Sequence, residues 1–214
     1  MMHSKRLREK VKQDYDSIAA EFSDSRRSDW KEFEVFRAYL KPRLRVLDLG
    51  CGNGRLVDFL KEWKVDYRGI DQSAELVACA RKAHSGVHFE VADMAELPAL
   101  EQRFDRVFMI ASFHHLPRKD QESVLRWIAA HLAPGGMLLM TNWNLFQWRF
   151  WKAWLKALLW PRWGFKGLEI PWNHGVKRYY YAFSEGELRR LLKRTGFRVI
   201  EEHKGRNFVT LAAL

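Results

Sequence analysis

The spacing of apolar and polar positions changes near residue 45. Before it, residues 3–24 and 31–40 place apolar side chains at helical intervals, which predicts two helices. After it, short apolar runs alternate with helical segments. The predicted strands are RVLDLG, YRGID, VHFEVAD, FDRVFMIA and GMLLMTNW, and the predicted helices are RLVDFLKEW, SAELVACARKA and KDQESVLRWIAAHLA. Such alternation indicates a parallel sheet, so we expect an α/β Rossmann-like fold.

The C-terminal end departs from this alternation. Residues 184–196 predict a helix that Ser184 caps, with Glu187 completing a capping box and Gly196 ending the helix. FRVIEEH and FVTLAAL then read as strands joined by the polar turn KGRN. We expect these two strands to form a hairpin at the edge of the sheet, with the final strand antiparallel.

A glycine-rich loop, DLGCGNG at residues 48–54, follows the first predicted strand and opens a helix. Its glycines permit a tight turn and close approach of a ligand to the backbone. Asp71 ends the next strand about twenty residues on, where a carboxylate can accept hydrogen bonds from both ribose hydroxyls. The loop lacks the spacing of a pyrophosphate-binding loop and begins with an acid. It therefore suits a cationic sulfonium cofactor without phosphates.

Further candidates lie where the third and fourth strands end, at the edge of the sheet where ligands bind. Asp93 could accept the adenine amino group while Met94 packs on the ring; the alternative is a carboxylate that only caps the loop. The segment IASFHHLP at 110–117 contains His114 and His115. One of this pair is expected to line the site and the other to pack or cap.

These elements resemble the class I S-adenosylmethionine-dependent methyltransferases over residues 45–142. Two flanking motifs resemble one family in particular, the tRNA wobble-uridine carboxymethyl methyltransferases. Residues 14–30 match its F-S-x-[ST]-R-x-x-x-W pattern at Phe22, Ser23, Ser25, Arg26 and Trp30. Residues 170–191 are similar to its P-W segment followed by R-Y-Y-x-x-F-x-x-G-E-L, at Arg178, Tyr179, Tyr180, Phe183, Gly186, Glu187 and Leu188.

The resemblance implies a seven-stranded, mostly parallel sheet with an antiparallel final strand. To this fold the chain adds the N-terminal helices and a Trp-rich helical insertion. It implies S-adenosylmethionine as cofactor and tRNA as substrate, with the wobble uridine carboxymethyl group converted into a methyl ester. The eukaryotic relatives use a small zinc-binding activator protein, so such a partner is a candidate here too.

The site residues follow from the same resemblance. It places around the cofactor Tyr15, Arg26, Gly50, Asn53, Asp71, Asp93 and Ile110. To these we add Asp48, Cys51, Gly52, Gln72 and Met94. Facing the substrate we expect Trp30, Trp143, Trp172 and Arg178. The candidate catalytic residues are Arg178, His115 and Tyr179, and no metal ligand is assigned.

Arginine is favoured over histidine in this chemistry. An ionised carboxylate is already a nucleophile, so the enzyme contributes mainly by orienting it, and an arginine fork grips a carboxylate with two contacts. Arg178 and Arg26 are therefore better candidates than either histidine. The alternative for Arg178 is an ion pair with a neighbouring acid.

Residues 143–172 hold seven of the ten tryptophans. A helix that starts near Leu145 would align Arg149, Lys152 and Lys156 in one stripe and leave the remaining surface aromatic and aliphatic. Three interpretations stay open. We favour a buried lid over the active site, ahead of a basic platform that stacks unpaired bases; a helix docked on a membrane interface or a partner is least favoured.

Composition sets the broad class. The chain has 214 residues, 47% of them apolar, and no compositional break, so we expect one domain. Its expected parts are an N-terminal helical segment at 1–42, a cofactor-binding core at 43–142, a Trp-rich lid or insertion at 143–177, and a C-terminal helix and hairpin at 178–214. A signal-like or membrane-spanning apolar run is absent from the sequence, and the two cysteines do not suggest a disulfide framework. We expect a cytoplasmic protein.

The formal net charge of +11 favours a polyanionic partner, either RNA or an anionic membrane surface. Two other functions stay open. One is methylation of a small acid, phenol or lipid-like acceptor, with the Trp-rich helix as lid or interfacial anchor. The other is a cofactor-binding scaffold that activates a partner without transferring a methyl group.

Overall fold

The computed structural model describes residues 2–25 and 30–214. Helix α1 (Met2–Asp24) comes first, and a 3₁₀ helix (Lys31–Tyr39) takes the place of the second predicted α-helix. α1 buries Leu7, Val11 and Ile18. Arg8 fastens it to the rest of the fold through ion pairs with Asp93 and Asp120, both at 2.6 Å, and with Glu96.

The predicted alternation of strands and helices is present. The elements are β1 (Arg45–Leu49), α2 (Arg55–Leu60), β2 (Asp66–Asp71), α3 (Ala74–Ala83), β3 (His88–Val91), β4 (Phe104–Ile110), α4 (Gln121–His131) and β5 (Leu132–Trp143). The five strands pair in parallel in the order β3-β2-β1-β4-β5. β1 and β4 are mostly apolar and buried along most of their length because they lie centrally, where helices cover both faces of a parallel sheet.

The Trp-rich segment contains a hairpin that the sequence patterns did not predict. A short 3₁₀ helix (Trp148–Phe150) leads into α5 (Trp151–Leu159), which therefore starts six residues after Leu145. Strands β6 (Gly167–Pro171) and β7 (Lys177–Tyr181) then pair antiparallel in a sheet of their own. One side of α5 packs on this hairpin, where Ala157 joins a buried cluster with Leu168 and Tyr180.

The C-terminal elements complete the main sheet as expected. They are α6 (Glu185–Arg194), β8 (Arg198–Lys204) and β9 (Asn207–Ala213). β9 enters between β5 and β8, antiparallel to both, so the seven-stranded order is β3-β2-β1-β4-β5-β9-β8. This confirms the predicted mostly parallel sheet with an antiparallel final strand.

The predicted capping box of α6 was wrong. Ser184 precedes the helix, but its side chain makes no capping hydrogen bond. The Glu187 carboxylate does not cap the helix; it accepts hydrogen bonds from the Tyr181 hydroxyl (2.5 Å) and from Lys166 Nζ (2.6 Å). The helix ends at Arg194, and Gly196 follows two residues later with a φ of +93°, as expected of a glycine that closes a helix.

No helix in the described part of the chain has the length and apolar character needed to cross a bilayer.

Candidate active site

A cleft opens where β1, β2 and β4 end, bounded on its other side by α1 and β7. Of the predicted site residues, its walls include Tyr15, Trp30, Asp48, Gly50, Cys51, Gly52, Asn53, Asp71, Gln72, Met94, Ile110, His115, Trp143 and Arg178. Topology brings these distant positions together because parallel strands end at one edge of the sheet. Arg26 lies outside the described residues.

The glycine-rich loop forms the floor of the cleft. Gly50 has a φ of +80°, and a Cβ built there would lie 2.3 Å from the Cβ of Ser112. Any side chain at position 50 would therefore push the loop away from the end of β4. The amides of Gly50 and Cys51 both donate to the carbonyl of Ile70, at 2.7 and 3.1 Å, which fastens the loop to β2.

Asp71 ends β2 and braces this loop. One carboxylate oxygen accepts from the amide of Gly52 and the other from the amide of Ser73, both at 2.9 Å. Burial raises the pKa of Asp71, and these two backbone hydrogen bonds oppose the rise. The carboxylate lines the cleft beside Gln72, in a position to accept further hydrogen bonds from a bound polyol.

Asp48 is a buried carboxyl group with one oxygen unsatisfied. Its Oδ2 accepts from the Tyr67 hydroxyl (2.8 Å), and its Oδ1 is buried with no hydrogen-bond partner in the described part of the chain. Burial raises the pKa of Asp48 to about 7, against the smaller opposing effect of Tyr67. A cation in the cleft would restore the ionised form.

Asp93 lies beside the main cleft, on a smaller one that also has Met94 and Gln72 in its wall. Its Oδ2 accepts from Arg8 Nε (2.6 Å), and its Oδ1 accepts from the amide of Ala95 (2.9 Å). Asp93 therefore caps its loop and anchors α1. The carboxylate of Asp93 keeps further lone pairs, and their contact with an adenine amino group stays a prediction.

Arg178 lies on β7 with 2% of its surface exposed, surrounded by aromatic rings. Its guanidinium carbon is 4.2 Å from the ring centre of Trp172, and 5.4 to 5.8 Å from those of Tyr180, Trp143 and Tyr15. Nη1 donates to the Tyr15 hydroxyl (3.3 Å), but Nε is buried without a partner among the described residues. In that part of the chain Arg178 forms no ion pair with a carboxylate, which disfavours the alternative of a purely structural arginine.

His115 connects Arg178 to the backbone. Its Nδ1 lies 2.6 Å from the carbonyl oxygen of Tyr179, so Nδ1 carries the proton and donates it. Nε2 then accepts from the Tyr15 hydroxyl at 2.8 Å. Burial lowers the pKa of His115 to about 3, so the ring is neutral at physiological pH. The resulting chain, from Arg178 through Tyr15 to His115, fixes the direction of the guanidinium.

The neighbouring histidine also faces the cleft. His114 is fully buried, and its Nδ1 accepts from the amide of Trp143 at 3.1 Å. Burial, reinforced by His115 and Arg178, holds the pKa of His114 well below its usual range. Both histidines are thus neutral lining groups.

Alternation along β7 turns the predicted site residue Tyr179 away from the cleft and its neighbour Tyr180 towards it. Arg178 and Tyr180 face the cleft, whereas the ring of Tyr179 is buried in the main core and contributes only its carbonyl oxygen. Tyr180 also stacks on Trp143, with ring centres 4.8 Å apart. Trp172 meets the site through its contact with Arg178.

Several lining residues were missed by the sequence reasoning: Phe22, Phe33, Arg55, Ser112 and Tyr180. Phe22 and Tyr180 stand inside the flanking motifs and could have been carried over with them. Arg55 gave no signal, yet its guanidinium lies 4.4 Å from the ring centre of Trp30 and makes one wall of the cleft. No group of three or more potential metal ligands converges anywhere in residues 2–25 and 30–214.

Comparison with known proteins gives a family match. A family model described as a methyltransferase domain matches residues 13–202. The tRNA (carboxymethyluridine(34)-5-O)-methyltransferase of Schizosaccharomyces pombe is 27% identical over 217 residues, covering 90% of each chain. A probable tRNA methyltransferase 9B of Bos taurus is 32% identical over 134 residues, which are 62% of this chain. The chain spans only 29% of the bovine protein's length.

Solved structures share the fold. The 1,6-didemethyltoxoflavin-N1-methyltransferase of Burkholderia thailandensis, determined with S-adenosylhomocysteine, superposes with a TM-score of 0.73 at 21% identity, covering 98% of this chain and 89% of that one. A methyltransferase described as putative, in complex with the Haloferax volcanii Trm112 activator, gives a TM-score of 0.70 at 20% identity, covering 95% and 96%.

Proposed function

Since the chain belongs to the methyltransferase domain family, we propose that it uses S-adenosylmethionine to methylate a carboxylate on a modified wobble uridine of tRNA. The relatives named for that reaction support the substrate, and the S. pombe protein matches this chain over nearly all of both lengths. The proposed compartment is the cytoplasm, in keeping with free thiols at Cys51 and Cys79.

The cofactor half of the cleft fits a sulfonium nucleoside. Asp48 has a buried oxygen with no hydrogen-bond partner among the described residues, which suits a cationic group, and Asp71 offers acceptors for a ribose. Gly50 leaves no space for a Cβ and exposes backbone for close approach. When bound, S-adenosylmethionine supplies a methyl group on a sulfonium, and the neutral thioether that remains after transfer is a good leaving group.

The observation that carries the substrate proposal is the buried cation of Arg178, which forms no ion pair with a carboxylate in the part of the chain that the structure describes. A charge held away from water is costly unless it is matched. Among the described residues, Nε of Arg178 has no hydrogen-bond partner, and Arg178 lies on the wall of an open cleft. A substrate carboxylate would satisfy it with paired, charge-assisted hydrogen bonds.

The other residues position this arginine. Trp172 and Tyr180 support the guanidinium through their ring faces, and the hydroxyl of Tyr15 directs Nη1. His115 is neutral and already uses both ring nitrogens, so it holds Tyr15 rather than moving a proton. Catalysis then rests on orienting an acceptor that needs no deprotonation.

A direct test is methyl transfer with purified protein, labelled S-adenosylmethionine and tRNA that carries 5-carboxymethyluridine. Nucleoside mass spectrometry should detect the methyl ester at the wobble position, and tRNA lacking the carboxymethyl group should accept no label. Binding of S-adenosylhomocysteine without transfer to the modified tRNA would refute the substrate assignment and leave the cofactor assignment standing.

An activator subunit is the second partner to test. The H. volcanii neighbour was determined with such a protein, although its likeness to this chain is in fold alone. We propose that turnover rises when an activator of that kind from the same organism is added. Equal turnover with and without it would exclude that requirement.

A further inference from the structure

The outer side of α5 is apolar. At about 100° per residue, Trp151, Leu155, Leu158 and Leu159 fall within one arc of α5, and the arc faces solvent. Together with Trp148 and Trp160, which adjoin the two ends of α5, they form a surface that we call the Trp-Leu face. Trp148 is 83% exposed, Trp160 69% and Leu158 65%.

This exposure is concentrated. Among the described residues, eleven large apolar side chains are exposed, and eight of them lie between residues 146 and 165. The opposite side of α5, at Ala157, is buried on the β6–β7 hairpin, so the helix already has its packing partner. Within residues 143–172 the cleft is lined by Trp143 alone, at the end of β5, and no residue of α5 lines it, which argues against α5 as a lid. A second, outward apolar face needs another explanation.

The charge around the face has one sign. Residues 144–168 contain five basic residues and no Asp or Glu. Lys156 and Lys166 are paired with Glu169 and Glu187, at 2.5 and 2.6 Å. The other three are Arg149, Lys152 and Arg162, each lying within 5.7 Å of the centre of a neighbouring aromatic ring. Cations therefore border the apolar arc.

The composition of the face identifies its occupant. Unpaired bases stack on aromatic rings, but Leu155, Leu158 and Leu159 provide no ring for stacking. A bilayer interface accommodates all three components: aliphatic side chains enter the acyl boundary, tryptophans lie at the headgroup level, and basic side chains reach lipid phosphates. We propose that the Trp-Leu face docks this protein on the surface of an anionic lipid bilayer.

Docking of this kind is peripheral. α5 has nine residues, so it can lie in the interface but cannot cross it. The cleft would stay accessible, because its walls come from other elements.

Vesicle sedimentation tests the proposal with the full chain. Vesicles of phosphatidylcholine mixed with phosphatidylglycerol should pellet the protein, and phosphatidylcholine alone should pellet much less. The double variant Leu155→Ser, Leu158→Ser should partition at least about tenfold more weakly, because two inserted leucines are lost. The matched control is Leu214→Ser with Ile200→Ser, which removes two exposed aliphatic side chains elsewhere and should bind as the unchanged protein does.

A second pair of variants covers the case in which the leucine variant fails to fold. Lys152→Glu with Arg162→Glu alters exposed side chains and should weaken binding to the anionic vesicles about tenfold or more. Calorimetric binding of S-adenosylhomocysteine verifies folding of each variant.

Three results would overturn the proposal. The first is no sedimentation of the unchanged protein with anionic vesicles at low salt. The second is a leucine variant that keeps vesicle binding and loses affinity for tRNA, which would make the face an RNA platform. The third is a dimer of the unchanged protein that the leucine variant converts to monomer, which would assign the face to a second copy of the chain.

Discussion

Replacing Arg178 with methionine tests the proposed carboxylate site most directly. The side chain is buried, lacks an ion pair among the described residues and contacts the ring faces of Trp172 and Tyr180. Methionine keeps much of the volume and removes the charge. Folding should tolerate the change, because methionine fills most of the same buried volume and no ion pair with a carboxylate is lost among the described residues. We expect the free energy of unfolding to change by about 1 kcal/mol or less.

Activity should respond far more strongly. A guanidinium that grips a carboxylate with two charge-assisted hydrogen bonds contributes about 1.5 to 3 kcal/mol for each. Two bonds at the lower limit amount to about 3 kcal/mol, which corresponds to a fall of about 100-fold in kcat/KM. Arg178→Lys should recover part of this loss, since it restores the charge without the fork.

The assay combines steady-state transfer to tRNA bearing 5-carboxymethyluridine with calorimetry of S-adenosylhomocysteine. Cofactor affinity should be nearly unchanged in Arg178→Met. Arg37→Met is the matched control, because Arg37 also lies over two rings, Phe59 and Trp63, but on a surface away from the cleft. If Arg178→Met weakened cofactor binding as much as it lowered kcat/KM, Arg178 would serve the cofactor and our reasoning would be refuted.

The remaining predictions concern the cofactor half of the cleft. Asp71→Ala should weaken S-adenosylhomocysteine binding by about 1.5 to 3 kcal/mol or more in calorimetry, because it removes ribose acceptors and the brace on Gly52; unchanged affinity would contradict the assignment. Gly50→Ala should abolish cofactor binding and lower the melting temperature more than Gly86→Ala, which has a similar φ of +81° but open space around its Cβ; equal effects would show that only backbone strain matters. Since burial raises the pKa of Asp48 to about 7, the ligand-free protein holds a proton there below that pH. A cationic ligand favours the ionised form, so S-adenosylmethionine should bind more tightly as pH rises through 7, with proton release that calorimetry in two buffers detects and that Asp48→Asn removes.

The same shift affects the stability of the ligand-free protein. Asp48 has a higher pKa in the folded state than in the unfolded chain, where it lies near about 4, so the folded state binds the extra proton between those values. Stability from this group is therefore present at low pH and is lost as pH rises towards 7. The Asn variant should flatten that part of the profile.

Local patterns along the chain were sufficient to predict the sheet and the cofactor half of the site. Short, mostly apolar runs identify buried parallel strands. A glycine-rich loop directly after the first strand is typical of a site that binds a nucleoside cofactor. Asp71 followed from its distance to that loop, because successive parallel strands bring their carboxyl ends together.

The substrate half depended on contacts that spacing does not encode. Residues 167–181 gave no strand signal, since both faces of β7 are covered and alternation is lost: one face lines the cleft and the other joins the core. Only the orientation of that hairpin decides that Tyr180, and not Tyr179, faces the cleft. Asp93 likewise accepts a hydrogen bond from Arg8, which lies 85 residues away in the sequence, so this contact could not be predicted from local spacing.

Helix α5 shows the same division. Its periodicity indicates which sides of the helix are apolar. It does not indicate which of these sides packs against the rest of the protein. Packing on the β6–β7 hairpin buries the side with Ala157 and leaves Trp151, Leu155 and Leu158 exposed to solvent. Periodicity within one segment is local information, whereas the surface that covers it comes from distant parts of the chain and exists only once they have packed together.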